Sequence, residues 1–327
     1  MSRRENLSAE SRPPVHPDLL AVATSLREAG LLPVVPGDVQ SVRAQLERIN
    51  AWAARRSVPL SYERTLGFSV DGRNVPCKLY WPEGDETPCL MFYCHGGGFR
   101  HGSLGGWDAP LRQLVRDSGL AVLSIDYALS PEHRFPVAFN EVVAIINRVI
   151  KLGAITDCPL RGYALGGDSA GANLALGAAI ALRDSGVDAL RQLLLFYGSF
   201  SRDMSSDSWQ RLGGYAGHNL SVETMSAYWA SYLTNDEDDW RVQPIIADLA
   251  GLPPARLVVG ELDPLLDENR ELAQRLRNAG VTTNLQVLPD MTHGFVRFNE
   301  MAPVARSVMA EQGRALRAAL SREANLP

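Results

Sequence analysis

Apolar residues first gather into short alternating or continuous runs at Tyr62–Val70, Val75–Trp81 and Cys89–Tyr93, separated by turn signals at Asp71-Gly72 and Pro82-Glu83-Gly84. Runs of this length, bounded by such residues, predict strands. Beyond them the period switches back and forth. Ala121–Ile125 reads as a strand, Val137–Leu152 as a helix, Tyr163–Leu165 as a strand and Ser169–Arg183 as an Ala/Leu-rich helix. Leu190–Tyr197 and Arg256–Val259 follow as strands, then Glu268–Ala279 as a helix, Thr283–Val287 as a strand and Pro303–Leu320 as a closing helix. The alternation predicts an α/β fold, with a mostly parallel central sheet flanked by helices on both faces.

Two regions break this rhythm. Residues 1–56 carry no strand signal and predict two helices, Leu19–Ala29 and Val39–Arg56, on either side of Leu32-Pro33-Val34-Val35-Pro36-Gly37. Such a segment can serve equally as packing or as part of a lid. Residues 199–246 separate two predicted strands and hold Trp209, Tyr215, Trp229 and Trp240, a helical run Val222–Leu233 and the acidic Asp236-Glu237-Asp238-Asp239. An insertion at this point of an α/β fold lies above the carboxyl ends of the strands, where ligands bind, and is expected to be a cap. The chain thus divides into an N-terminal helical segment, 1–56, and one catalytic unit, 57–327, carrying the insertion.

Composition narrows the classes. With 327 residues, 46% hydrophobic and 21% charged, the chain suits one soluble globular unit with a substantial core. A net charge of −5 without a run of Lys or Arg argues against nucleic acid as a partner. No stretch approaches the roughly 20 apolar residues of a membrane span, and Glu5–Pro17 is polar where a signal peptide would be apolar. A cytoplasmic protein without membrane contact is expected. The four cysteines lack C-x-x-C spacing, and Cys89 and Cys94 share one strand, so all four are expected to be reduced and buried.

The chemistry centres on Gly167-Asp168-Ser169-Ala170-Gly171, a G-x-S-x-G pattern between a predicted strand and a predicted helix. In that position a serine projects from a tight turn, with glycines two residues either side letting strand and helix pass. Alone, the pentapeptide fits a mere glycine-rich turn as well. Its weight comes from partners, which an elbow of this kind takes in the order serine, acid, histidine. His293, in Met291-Thr292-His293-Gly294-Phe295, is the one histidine placed beyond the last strand. His16, His101, His133 and His218 are expected to be surface or structural, and the histidines show no metal-ligand spacing with Cys or carboxylates. Asp263, at a strand end with Pro264 behind it, is the favoured acid; Asp267 and Glu268 are its rivals, expected to serve a helix dipole. Upstream, His95-Gly96-Gly97-Gly98-Phe99 exposes backbone amides that suit an oxyanion hole, formed by Gly97 and Gly98 together with Ala170. His95 and Gly96 are expected to hold that loop rather than act as base.

Together with Tyr127-Ala128-Leu129-Ser130-Pro131-Glu132-His133-Arg134-Phe135-Pro136 and Asp263-Pro264-Leu265, these pieces resemble the motif set of the hormone-sensitive lipase family of α/β-hydrolases. Leu212-Gly213-Gly214, Tyr232-Leu233-Thr234-Asn235-Asp236 and Asp263-Pro264-Leu265-Leu266-Asp267 bring the resemblance closer to its bacterial acetyl esterases, over about residues 75–320. The resemblance implies an α/β-hydrolase fold with a helical cap from the N-terminus and the insertion. It implies Ser169 as nucleophile, His293 as base, Asp263 as acid and the amides of Gly97, Gly98 and Ala170 as oxyanion hole. The activity implied is hydrolysis of short-chain acyl esters through an acyl-enzyme, with no cofactor or metal, a small-molecule ester as partner, and a monomer or homodimer. Amide or lactone hydrolysis by the same residues, or a receptor on the same fold, are the other readings. One departure stands out: Ala128 replaces an Arg that many members carry, which puts a local ion pair in doubt.

Overall fold

Leu90–Cys94 and Ala121–Ile125 are buried at every position, as central strands covered on both faces must be. The computed structural model describes residues 14–32, 34, 38–214, 220–235 and 238–321; Tyr215, His218, Asp236 and Glu237 lie outside the described residues. In chain order the strands are β1 (Tyr62–Val70), β2 (Arg73–Trp81), β3 (Leu90–Cys94) and β4 (Ala121–Ile125). A two-residue pair follows, β5 (Ala154–Ile155) with β6 (Cys158–Pro159), and then β7 (Tyr163–Asp168), β8 (Leu190–Phe196), β9 (Ala255–Leu262) and β10 (Thr283–Thr292). The helices are α1 (Pro17–Glu28), α2 (Val39–Ala54), α3 (Asp108–Ser118), α4 (Val137–Leu152) and α5 (Ala170–Asp184). After them come α6 (Asp207–Leu212), α7 (Val222–Tyr232), α8 (Leu266–Asn278) and α9 (Pro303–Ser321).

Eight strands form one sheet in the order β1-β2-β4-β3-β7-β8-β9-β10. β1 and β2 make an antiparallel hairpin and β2 meets β4 antiparallel; every later pairing is parallel. One face is covered by apolar side chains of α4, α5 and α8, the other by α3, α9 and α1. This is the mostly parallel, helix-flanked sheet that the hydrophobic pattern predicts and the α/β-hydrolase architecture that the resemblance implies.

Differences from the predicted elements have local causes. β7 runs on through Gly166 and Gly167 to Asp168, pairing with β8 as far as Phe196, and a Cβ at Gly166 would stand 2.3 Å from the Leu194 carbonyl of that strand. These glycines mark close strand packing as well as the turn. α3 is unpredicted. It carries Pro110 in its first turn, where proline costs no hydrogen bond, buries Leu111, Leu114 and Val115, and ends at Gly119 with φ 70°. Cys77 and Cys94 are buried as expected, whereas Cys89 and Cys158, near strand ends, are half-buried; all four are free thiols.

The sheet's antiparallel edge is tied to α3 by a charged cluster. Lys78 reaches Glu63 at 3.0 Å and Asp108 at 2.7 Å, and Arg112 grips Glu63 through Nε at 2.6 Å. Burial alone would raise the Glu63 carboxyl, but the bonds from Arg112, the Leu60 amide and Lys78 outweigh it and hold the group at about 2 against an ordinary 4.5. A depressed folded value contributes stability that is complete above the unfolded pKa and is lost as pH falls towards the folded one. Glu63→Gln is therefore expected to lower stability at pH 7 by about 1 kcal/mol after solvent screening. The gap in urea midpoint between wild type and variant should narrow once pH drops below 4.5. A gap that stays constant from pH 7 to pH 3.5 would contradict this account.

Candidate active site

Ser169 is the single residue between β7 and α5, with φ 53° and ψ −121°. A non-glycine residue on this side of the map is strained, and the surroundings hold it there. The Ser169 amide donates to the Phe196 carbonyl at 2.9 Å, and the Ser199 amide to the Ser169 carbonyl at 3.3 Å. Both glycines of the pentapeptide are required by contact. A Cβ at Gly167 would come within 2.4 Å of the Cys94 carbonyl, and one at Gly171 within 2.0 Å. The end of β3 thus lies directly against the turn.

Two long-range partners reach the serine. Asp263 follows β9 and is fully buried; His293 follows β10 and is 9% exposed. His293 Nδ1 lies 2.8 Å from Asp263 Oδ2, and Nε2 lies 2.9 Å from Ser169 Oγ. The Leu265 amide donates to the other carboxylate oxygen at 2.9 Å. A carboxylate can only accept, so Nδ1 carries the proton and Nε2 turns its lone pair to the serine hydroxyl. The Tyr197 ring meets the imidazole edge-on at 4.8 Å and is itself backed by Phe295 at 5.3 Å. Of the rival acids, Asp267 accepts from the Ser208 amide at 2.8 Å and pairs with Arg270. Glu268 is more than a dipole partner: it is buried, accepts from the Phe200 amide at 2.6 Å, and burial pushes its carboxyl well above the usual range.

The glycine loop leaves β3 on the other side of the serine. Gly97 has φ 124° and Gly98 φ 61°. Side chains are excluded there twice over, since a Cβ would lie 2.2 Å from the His101 carbonyl at Gly97 and 2.3 Å from the Tyr228 ring at Gly98. The amides of Gly97 and Gly98 donate to no acceptor among the described residues. Ala170 opens α5, so its amide has no intrahelical partner either. His95 is buried, donates through Nδ1 to the Gly96 carbonyl at 2.9 Å and stacks on Tyr127 at 4.4 Å, away from the serine.

Several residues that the sequence analysis gave no role fasten this loop. Asp168, buried inside the pentapeptide, accepts from the Gly96 amide at 2.8 Å and the Tyr93 hydroxyl at 3.1 Å. Burial pushes its carboxyl up, against the pull of the Gly96 bond. Arg43 of α2 donates to the carbonyls of Arg100 and Ser130 at 2.9 Å each and pairs with Glu132 at 2.8 Å. From α7, Tyr232 stacks on Phe99 at 4.0 Å, and Arg134 closes the helix by bonding the Leu233 carbonyl at 2.5 Å. Both irregular regions of the sequence therefore touch the loop. The place of Asp168 in the pentapeptide was its one signal in the sequence; Arg43 and Tyr228 carried none.

The remaining histidines are placed apart from this chain of bonds. His16 caps α1 by accepting from the Asp18 amide, and His133 is exposed. His101 is buried against Tyr228 at 5.7 Å, and burial with the nearby Arg100, Arg43 and Arg297 holds it down at about 4, uncharged near neutrality. The described residues hold no cluster of three or more His, Cys, Asp or Glu suited to a metal. Ala128 offers only its amide to the buried Glu141, at 2.7 Å; the guanidinium beside that carboxylate is supplied by Arg73 of β2.

The comparisons agree with this architecture. Residues 91–297 match a family model described as alpha/beta hydrolase fold. An acetyl esterase of Salmonella typhi is 32% identical over 307 residues, 91% of this chain and 93% of that protein. Among solved structures, a hyperthermophilic esterase of Pyrobaculum calidifontis superposes with a TM-score of 0.85 at 29% identity, covering 93% of this chain and 98% of that one. A thermophilic carboxylesterase cloned from a metagenomic library gives 0.81 at 30% identity, covering 87% and 98%. With a family match over more than half the chain and a curated relative spanning nine-tenths of it, the chain belongs to the hormone-sensitive lipase family of α/β-hydrolases and is a carboxylic ester hydrolase.

Proposed function

We propose that the protein hydrolyses esters of short acyl groups, acetate-like in size, through an acyl-enzyme on Ser169. The observation that carries the mechanism is the unbroken series Asp263, His293, Ser169, with links of 2.8 and 2.9 Å ending at a strained elbow. His293 takes the hydroxyl proton as Oγ attacks the ester carbonyl. Asp263 keeps the imidazole in the tautomer that can do so and stabilises the cation formed. The tetrahedral oxyanion rests on the amides of Gly97, Gly98 and Ala170, donors worth about 3 kcal/mol each when removed in comparable enzymes. The alcohol departs with the proton held by His293, and water repeats the sequence to release the acid.

The acyl preference is supported from two sides: the relative named an acetyl esterase, and the Tyr228 ring lying on Gly98. With α7 over the glycine loop and Arg43 of α2 bonded to the same loop, the N-terminal helices and the 199–246 insertion act together as a cap. Hydrolysis of 4-nitrophenyl esters from acetate to dodecanoate tests the reading. The expected kcat/KM is highest at two to four carbons and about 100-fold lower at twelve, each excluded methylene costing a fraction of its transfer energy. A maximum at eight carbons or beyond would keep the mechanism and overturn the short-chain preference.

A further inference from the structure

Helix α2 docks through polar bonds more than through apolar packing. Of its sixteen residues, Ile49 is the one apolar side chain fully buried, beside Gln45 and Asn50. Gln40, Arg43, Glu47 and Asn50 recur every three or four residues and so share one face. Each of them bonds to a loop around the site. Gln40 donates to Glu132 at 2.8 Å, Glu47 accepts from the Ser103 hydroxyl at 2.8 Å and from Asn50 at 3.2 Å, and Asn50 accepts from Arg297 at 2.8 Å.

Arg43 makes the most of this face. Its Nε donates to the Arg100 carbonyl and its Nη2 to the Ser130 carbonyl, at 2.9 Å each, while Nη1 and Nη2 hold the two Glu132 oxygens at 2.8 and 2.9 Å. Both carbonyls belong to the surroundings of the glycine loop. Arg100 lies in the turn that begins at Gly97, whose carbonyl accepts from the Arg100 and His101 amides at 3.1 and 2.8 Å. Ser130 donates to the Phe99 carbonyl through its amide at 2.8 Å and its hydroxyl at 3.0 Å. A ring of bonds through Ser130, Arg43 and Arg100 therefore closes on the peptide that follows Gly98. Glycines have no side chains with which to fix themselves, so the aim of the Gly97 and Gly98 amides depends on what grips the loop at either end. Asp168 grips it at Gly96, and Arg43 at Arg100.

We propose that Arg43 is a positioning residue for the oxyanion hole, through which helix α2, outside the catalytic sheet, sets the Gly97 and Gly98 amides for the transition state. The role rests on those amides being the oxyanion donors of the proposed mechanism. Such donors act most strongly on the developed negative charge, so a loop that has lost its aim costs the transition state more than it costs substrate binding. Both half-reactions form the same oxyanion, and the loss falls on kcat.

The test pairs hydrolysis of 4-nitrophenyl acetate with inhibition by 1,1,1-trifluorobutan-2-one. Ser169 Oγ adds to the ketone carbonyl, the hydroxyl proton passes to His293, and the carbonyl oxygen is left as an anion in the hole. In Arg43→Ala, kcat is expected to fall about 30-fold and Ki for the ketone to rise by a similar factor, with KM within about threefold of wild type. The pH midpoint of kcat/KM should not move, because Asp263 and His293 are untouched. Arg43→Lys keeps the charge but cannot reach two carbonyls and Glu132 together, so it should melt within a few degrees of wild type and still lose about tenfold in both kcat and Ki. If Arg43→Ala does not fold, Arg43→Lys carries the test. A loss confined to KM, or an unchanged Ki in a folded variant, overturns the positioning role and leaves the esterase mechanism intact. A wild type that hydrolyses the ester and is untouched by the ketone overturns the oxyanion hole and this role with it.

Discussion

Replacing Ser169 with Ala is expected to lower kcat/KM for 4-nitrophenyl acetate by about 10⁵–10⁶-fold while the protein stays folded. The two halves of that expectation have separate grounds. Oγ is the atom that forms the acyl bond in the proposed mechanism, and it lies 2.9 Å from His293 Nε2. The side chain makes no capping bond to α5, and the elbow is held by backbone bonds to Phe196 and Ser199 that Ala retains. Loss of the hydroxyl therefore removes chemistry and leaves the turn, so the melting temperature should move by no more than a few degrees. Activity above about one per cent in a preparation free of wild type would place the nucleophile elsewhere.

The same division between local and long-range causes explains how much the sequence disclosed. Strand runs such as Ala121–Ile125 were legible because a strand buried on both faces must be apolar throughout, whatever its neighbours. The pentapeptide glycines were legible because the approach of Cys94 forbids any side chain at Gly167 and Gly171. α3 is faint in the sequence because its apolar positions Leu111, Leu114 and Val115 span little more than one turn, behind Gly105-Gly106 and Pro110.

The proposed nucleophile, base and acid could be nominated from the pentapeptide and the order of the elements, yet Ser169 and His293 are 124 residues apart and only the sheet brings them together. What fastens the site was illegible for that reason. Arg43 meets the loop through carbonyls at Arg100 and Ser130, groups that every residue possesses and no motif can mark. Tyr228 lies on Gly98 because α7 crosses the loop, a placement decided by Phe99 packing on Trp229 and Tyr232. Glu268 looked like a helix-dipole acid from its place in the first turn of α8; burial under the Phe200 amide is a tertiary fact.

Asp263→Asn is expected to reduce kcat by about 10⁴-fold with little change in KM or stability. The carboxylate accepts two bonds at once, from His293 Nδ1 on Oδ2 and from the Leu265 amide on Oδ1. An amide of the same shape has one oxygen. The Leu265 amide can only donate, so the oxygen turns to it and the NH₂ group faces Nδ1. Nδ1 must then accept, its proton moves to Nε2, and the imidazole presents a donor to Ser169 where a base is needed. The opposite flip would leave the buried Leu265 amide facing NH₂, at a cost of about 1–3 kcal/mol for the lost bond. Asp263→Glu, which keeps both acceptors but lengthens the side chain in a fully buried site, should recover part of the activity. Raising the pH should rescue Asp263→Asn as hydroxide takes over the base's role, whereas wild type gains nothing comparable. A variant that keeps a tenth of wild-type kcat at pH 7 would show that the tautomer is fixed by other means, and would remove Asp263 from the proposed mechanism.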